Sequence, residues 1–352
     1  MSPSPRRLLS ALVFSVAAFV LASCGSTTRP PITGPSGSPG AQTTAATGPL
    51  LGAWWDPQAA GLRLVYGLPG AAVEGPAIDN DGTYSGASAC VRGRIAVLTT
   101  SAGGLFLGAL PQGPPSSLTS EKISNPQIVF SPSCNAALAF SSDGSGGMLL
   151  QGLLSAPTAN PISFSEPISA AAVADDGSLL TASQSANGTS TVQFLAAGSS
   201  TARSVTTLSK LGALAFLPGA ESAVIADAGA NTVIETSQLS GNVNLVSVAG
   251  PSEGVAHPFA IRTSADGHWA VVANQSSATL VRIDLSGQSA AVRTICRCIP
   301  TTLEPLAGNL AFRVNPPGVG TVWAYNGSGS SPRLAFLPAD DVNAAIAQGA
   351  RR

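Results

Sequence analysis

Charge is scarce in this sequence. Of its 352 residues only 10% are Asp, Glu, Lys or Arg, and lysine occurs at just two positions, Lys122 and Lys210. With a formal net charge of −1, the chain has no basic surface able to neutralise a row of phosphates, which excludes nucleic-acid binding through the backbone. Histidine is as rare. His257 and His268 are the only two, eleven residues apart, so no His-Glu-x-x-His metal motif can be drawn. Nucleophile elbows of the GxSxG or SxxK kind, phosphate loops and dinucleotide fingerprints are also missing. Aromatics make up 5%, so the core must be built from small aliphatic side chains. After Leu50 no stretch keeps a 3.6-residue apolar period, which excludes a helical body.

What is present is a foldable, turn-rich chain: 44% hydrophobic residues, 38 Gly and 27 Pro. That apolar content is too high for a disordered polymer, and the glycines lack collagen's three-residue period. The first residues have their own pattern. Arg6 and Arg7 precede a mostly apolar run from Leu8 to Leu21, too short to span a bilayer as a helix and suited to the core of a signal peptide. Residues 25 to 49 are almost entirely Gly, Ser, Thr, Pro and Ala, a composition that behaves as a flexible tether with a reach of roughly 25–30 Å.

Short β-type runs bounded by Gly, Pro, Asn, Asp and Ser recur from Leu50 onward. Aligning one strand per unit places the starts at Arg94, Ala136, Ser178, Ser222, His268 and Asn309, with spacings of 42, 42, 44, 46 and 41. A strand-only period in the low forties is the arithmetic of propeller blades. The unit beginning at Pro258 shows it best: Pro258 to Ile261 runs in, Asp266-Gly267 turns, His268 to Asn274 returns, Ala278 to Leu285 is the third strand and Ala291 to Ile295 the fourth. Asp176-Gly177 repeats the turn, its Gly accepting the positive φ of a tight hairpin. The expected fold is an all-β propeller of four short antiparallel strands per blade, with seven blades and six as the alternative. A two-sheet sandwich and a β-helix are the competing architectures. A further hairpin, Ala53 to Asp56 with Leu62 to Tyr66, precedes the six units and belongs either to an incomplete seventh blade or to the last one. In either case N-terminal strands joining the C-terminal blade would close the ring. The expected organisation is a signal peptide (1–23), a lipidated Cys and linker (24–49), the propeller (50–339) and a short tail (340–352) with a short helix over Asp340 to Gln348.

Two resemblances add to this reading. Leu21-Ala22-Ser23-Cys24 resembles the bacterial lipobox, which implies lipidation of Cys24 and attachment to a membrane in the cell envelope. Gly25 in place of Asp implies the outer membrane where the host has one. An ordinary signal peptide with an incidental Cys is the alternative, and a twin-arginine signal fits less well because of Pro5 and Leu9. Ser264-Ala265-Asp266-Gly267-His268-Trp269-Ala270-Val271-Val272-Ala273-Asn274 and the run that follows to Asp284 resemble the bacterial surface β-propeller repeats of the YVTN type, related to lactonase-like and NHL-like propellers. Ile225 to Ile234 echoes the repeat one unit earlier.

Four cysteines remain beyond Cys24. Cys90 and Cys134 sit near equivalent turns of consecutive units, and Cys296-Arg297-Cys298 lies between the last two units. An oxidising location permits disulfides. Of three connectivities, Cys90 to Cys134 with Cys296 to Cys298 is the first choice. Asp79-Asn80-Asp81-Gly82 begins like a calcium loop but lacks its later ligands, and reads as a polar turn. The expected function is a binding scaffold for a protein, peptide or glycan, anchored to the membrane, without catalytic residues, cofactor or metal. The alternatives are a propeller hydrolase or lactonase holding a divalent metal with Asp227, Asn231, Asn274 and Glu304, and a structural envelope component.

Overall fold

The computed structural model describes residues 48–78, 82–111, 113–316 and 321–338. The signal peptide, Cys24, the linker up to residue 47, Asp79 to Asp81 and the tail 340–352 lie outside them. The body is a seven-bladed β-propeller: six sheets of four antiparallel strands and one of three. Two single-turn 3-10 helices, Val91–Gly93 and Pro251–Glu253, are the only helices among the described residues.

The repeat read from the sequence locates the second strand of blades 2 to 7. These strands are Ile95–Thr99, Ala136–Phe140, Leu179–Gln184, Ser222–Asp227, Trp269–Asn274 and Ala311–Arg313. Each radial sheet has neighbours on both sides, so such strands bury both faces and carry continuous apolar runs instead of an alternating pattern. All five residues of Ala136–Phe140 are buried. Leu180, Val192 and Phe194 of blade 4, for example, meet Leu214, Phe216 and Ile225 of blade 5, each large side chain contributing about 1.5–3 kcal/mol by burial. The Asp-Gly turns work as expected: Asp266 Oδ1 accepts the His268 N–H at 3.1 Å, and Gly267 adopts φ +75.

Six innermost strands surround the axis: Gly86–Cys90, Gln127–Phe130, Ile168–Val173, Leu211–Phe216, Pro258–Thr263 and Glu304–Pro305. All start at one face, here the upper, and end at the lower. Blade 1 departs from this plan. Its strands are Leu50–Asp56, Gly61–Leu68 and Ala71–Ile78. The end of the first lies at the upper face, where Trp55 shares a cavity with Ser85 and Pro126, just ahead of the inner strands of blades 2 and 3. Its start lies at the lower face, where Leu51 C=O accepts the Ala307 N–H at 2.6 Å. This strand therefore runs opposite to the six inner strands. Blade 1 consists of a second, a third and an outer strand, and no inner strand belongs to it among the described residues.

The ring also closes differently from the sequence expectation. Blade 7 draws all four strands from its own stretch, Glu304 to Leu337, and among the described residues no N-terminal strand joins it. Instead blade 1 packs Leu51, Trp54, Val65 and Ala72 against Leu306, Ala311, Val322 and Leu337 of blade 7. The Glu74 N–H bonds Pro338 C=O at 3.3 Å across the same seam. The chain segment before blade 2 thus makes a blade of its own, because its two hairpins already bury both faces between blades 2 and 7.

Candidate functional site

Inner strands built from Ala, Val, Ser and Gly bring six backbones close to one axis, leaving a narrow channel. Toward the lower face its wall is mostly apolar, with Ala89, Val129, Ala171 and Ala215, and encloses about 70 Å³. Three charged side chains reach it: Arg92, Arg262 and Glu304. Arg92 donates from Nη1 to Pro132 C=O at 3.3 Å and from Nη2 to Asn309 C=O at 3.2 Å. Burial holds its guanidinium below the ordinary arginine value against the opposing pull of Asp266. Toward the upper face the wall opens into a cavity of about 390 Å³ next to blades 1, 2 and 3. Trp55 is half-buried there beside Ser85, Ser88, Thr99, Ser101, Ser124 and Asn125, and none of the described residues that line it is titratable.

A second polar cluster is sealed in the seam between blades 1 and 7. Asp56, Glu74 and Arg313 are all buried, and Arg63 Nε pairs with Asp56 Oδ2 at 2.6 Å. Arg313 lies over the Trp54 ring at 5.3 Å and donates to Asn315 C=O at 2.8 Å. Burial pushes the Glu74 carboxyl up, with Arg63 opposing and Asp56 reinforcing the shift. Burial likewise pulls Arg313 down against Glu304 and Glu74. Burial also acts to raise Asp56, but the Arg63 bond and the N–H groups of Gln58 and Ala59 outweigh it and hold the carboxyl below its usual range. Two acidic side chains thus stand among two guanidiniums, so that charge buried in the seam is met by groups of opposite sign. Sequence reasoning missed this cluster because its members stand up to 257 positions apart, from Asp56 to Arg313, with no local pattern.

The residues considered for a metal are occupied otherwise. Asp227 Oδ1 accepts the N–H groups of Gly229 at 2.8 Å and Ala230 at 3.0 Å, fixing a turn. Asn231 Oδ1 accepts the His257 N–H at 2.5 Å. Asn274 is fully buried; its Oδ1 accepts the Ala256 N–H at 3.1 Å, and its Nδ2 donates to Gly254 C=O at 2.9 Å and Thr279 Oγ1 at 3.0 Å. Glu304 stands apart from them at the axis. Among the described residues no three His, Cys, Asp or Glu side chains converge as a metal site. His257 is half-buried, with Nε2 3.5 Å from Lys210 Nζ, while His268 is exposed, 3.9 Å from Asp266.

Cys90 and Cys134 are disulfide-bonded with Cα atoms 5.8 Å apart, tying the lower turns of blades 2 and 3. Gly93 is required beside that bond, since a Cβ there would stand 2.7 Å from the Cys134 Cβ. Cys296 and Cys298 are bonded to each other with Cα atoms 5.0 Å apart, after the outer strand of blade 6.

No protein-family profile and no curated protein matches this chain. Solved structures do. A functionally unknown protein from Desulfotomaculum acetoxidans DSM 771 superposes with a TM-score of 0.54 at 14% identity, covering 83% of this chain and 100% of its own. A catalytically inactive virginiamycin B lyase from Staphylococcus aureus, solved with quinupristin, gives 0.51 at 10% identity over 72% of this chain and 83% of its own. A streptogramin B lyase gives 0.50 at 12% identity over 74% and 85%. At such identities the likeness establishes the propeller fold and leaves the activity open.

Proposed function

We propose that the chain is a lipid-anchored, extracytoplasmic propeller of the bacterial envelope, held by Cys24 on the outer membrane where one exists, that binds a peptide, protein or glycan at its upper mouth. The observation that supports this most is the chemistry of the mouth: one half-buried indole, Trp55, ringed by hydroxyl and amide side chains, with no acid, base or soft metal ligand among the described residues. Such a wall offers a stacking face and neutral hydrogen bonds, which is how a neutral polar ligand is held. Glu304, the carboxylate at the axis, belongs to the lower end beside Arg92 and Arg262.

Two experiments test the reading. Cys24→Ser is expected to move the protein from the membrane fraction to the soluble one and to abolish the lipid-dependent mobility shift; retention with unchanged mobility removes the anchor. Titration with soluble peptidoglycan fragments, which present glycan and peptide together, is expected to change tryptophan fluorescence in the wild type and not in Trp55→Ala. No saturable change in the wild type argues for a purely structural envelope role.

A further inference from the structure

At the lower end of the axis two guanidiniums share one enclosed space. Arg92 follows the inner strand of blade 2, in the 3-10 turn Val91–Gly93, and Arg262 lies near the end of the inner strand of blade 6, Pro258–Thr263. Both line the cavity of about 70 Å³, and both are half-buried. Arg92 spans the ring there. Its Nη1 donates to Pro132 C=O of blade 3 at 3.3 Å, and its Nη2 to Gly308 C=O and Asn309 C=O of blade 7 at 3.4 and 3.2 Å. Its Nε is buried and has no hydrogen-bond partner among the described residues. Arg262 donates from Nη1 to the carbonyl of Ile261, its neighbour in sequence, at 3.1 Å.

All of these acceptors are neutral carbonyls, and among the described residues neither guanidinium forms an ion pair. Glu304 lines the same cavity, but its charge also acts on the buried Arg313. Asp266 pulls on Arg92 from outside the lining, where its carboxylate accepts bonds from Ser264, His268 and Asn309. Partial burial strips hydration from a guanidinium, and carbonyl dipoles replace only part of it. Two such charges facing one space of low dielectric also repel each other.

We propose that this end of the channel is a binding site for one small inorganic oxyanion, of the size of phosphate, held between Arg92 and Arg262. An ion with several oxygens gives the Arg92 Nε an acceptor, gives the Arg262 fork another, and turns the repulsion between the guanidiniums into charge-assisted hydrogen bonds. The two positive charges exclude a metal cation. Size sets the other limit, since a cavity with room for a few waters takes phosphate itself and not a nucleotide or a sugar phosphate. Glu304 opposes the anion, which binds because two positive side chains line the cavity against one negative. Through the bonds that Arg92 already makes to blades 3 and 7, the ion would fasten blade 2 to blade 6 at the base of the ring.

The test titrates the full chain with sodium phosphate by calorimetry and follows its thermal midpoint, with sodium chloride at matched ionic strength as the reference. Phosphate is expected to bind saturably and to raise the midpoint by about 4–5 °C at roughly one hundred times its dissociation constant, beyond any effect of chloride. Arg262→Gln is expected to weaken phosphate at least about tenfold. Glu304→Gln removes the opposing charge and is expected to tighten it at least about threefold, a gain that a merely structural glutamate would not produce. If Arg262→Gln does not fold, the direction of the Glu304→Gln change decides. An effect of chloride equal to that of phosphate overturns the oxyanion site, as does a dissociation constant that neither substitution moves or that Glu304→Gln weakens.

Discussion

The disulfide between Cys90 and Cys134 closes a loop of 44 residues in sequence separation, and its worth follows from that length. Constraining the unfolded chain over such a loop contributes about 4 kcal/mol in the loop-entropy account. The bridge between Cys296 and Cys298, separated by 2, contributes under about 2 kcal/mol by the same relation. For a ring of ~290 residues the unfolding entropy is about 0.6 kcal/mol/K, so the two bridges convert to roughly 6–7 °C and 2–3 °C of midpoint. Substituting Cys134, which is fully buried, would add the cost of lost packing, so reduction is the cleaner perturbation. In a Cys296→Ala/Cys298→Ala background, reduction breaks the long bridge alone and leaves its sulfurs in place. Scanning calorimetry of that variant, oxidised and reduced, is expected to show the larger fall. A midpoint unchanged by reduction, or a larger fall from the Cys296→Ala/Cys298→Ala substitutions themselves, refutes the reasoning.

Glu74 gives a pH signature. Its folded carboxyl is raised by burial, so the neutral form is favoured in the fold; the stability it contributes is present below the ordinary glutamate range and lost as pH rises through the folded value. Glu74→Gln is therefore expected to gain stability relative to wild type at pH 7 and not at pH 4, read from urea midpoints at both; a pH-independent gap sinks the assignment. Asn274→Ala, which deletes three hydrogen bonds in a fully buried site, is expected to cost about 2–3 kcal/mol in urea unfolding while leaving ligand titrations of the folded protein unchanged. Loss of ligand response without loss of stability would return Asn274 to the list of site residues.

The repeat was legible because a radial sheet leaves a local trace. Leu138, Leu180, Val224, Val271 and Phe312 sit mid-strand in apolar runs and are all buried to within 1%, and the turns on either side carry Gly, Asp or Pro within a few residues. The pairing of cysteines followed from the same frame, since Cys90 and Cys134 end up at adjacent lower turns. Blade 1 was not legible in the same way. Its first hairpin read correctly, with Asp56 and Gly61 paired across the turn, but the third strand, Ala71–Ile78, was missed, and strand direction relative to the axis depends on which neighbour each face meets. Trp54 finds Arg313 and Leu51 finds Ala307, partners more than 250 positions away. No periodicity encodes such a contact.

The distribution of carboxylates bears on whether the propeller does chemistry. Asp143, Asp175, Asp176, Asp227, Asp266 and Asp284 each accept a backbone N–H in or beside a turn, and Glu253 does so for Gly250. Asp56 and Glu74 are committed to the blade 1 to blade 7 seam. A general acid or base must stand within hydrogen-bond reach of a bound substrate, and these groups are spent on the blades' geometry. Glu304 is a carboxylate that lines the channel, and it shares the narrow lower end with two guanidiniums, a space of about 70 Å³ that admits a few waters and no substrate of peptide or sugar size. Among the described residues, the roomy end of the channel and its charged end are therefore different places.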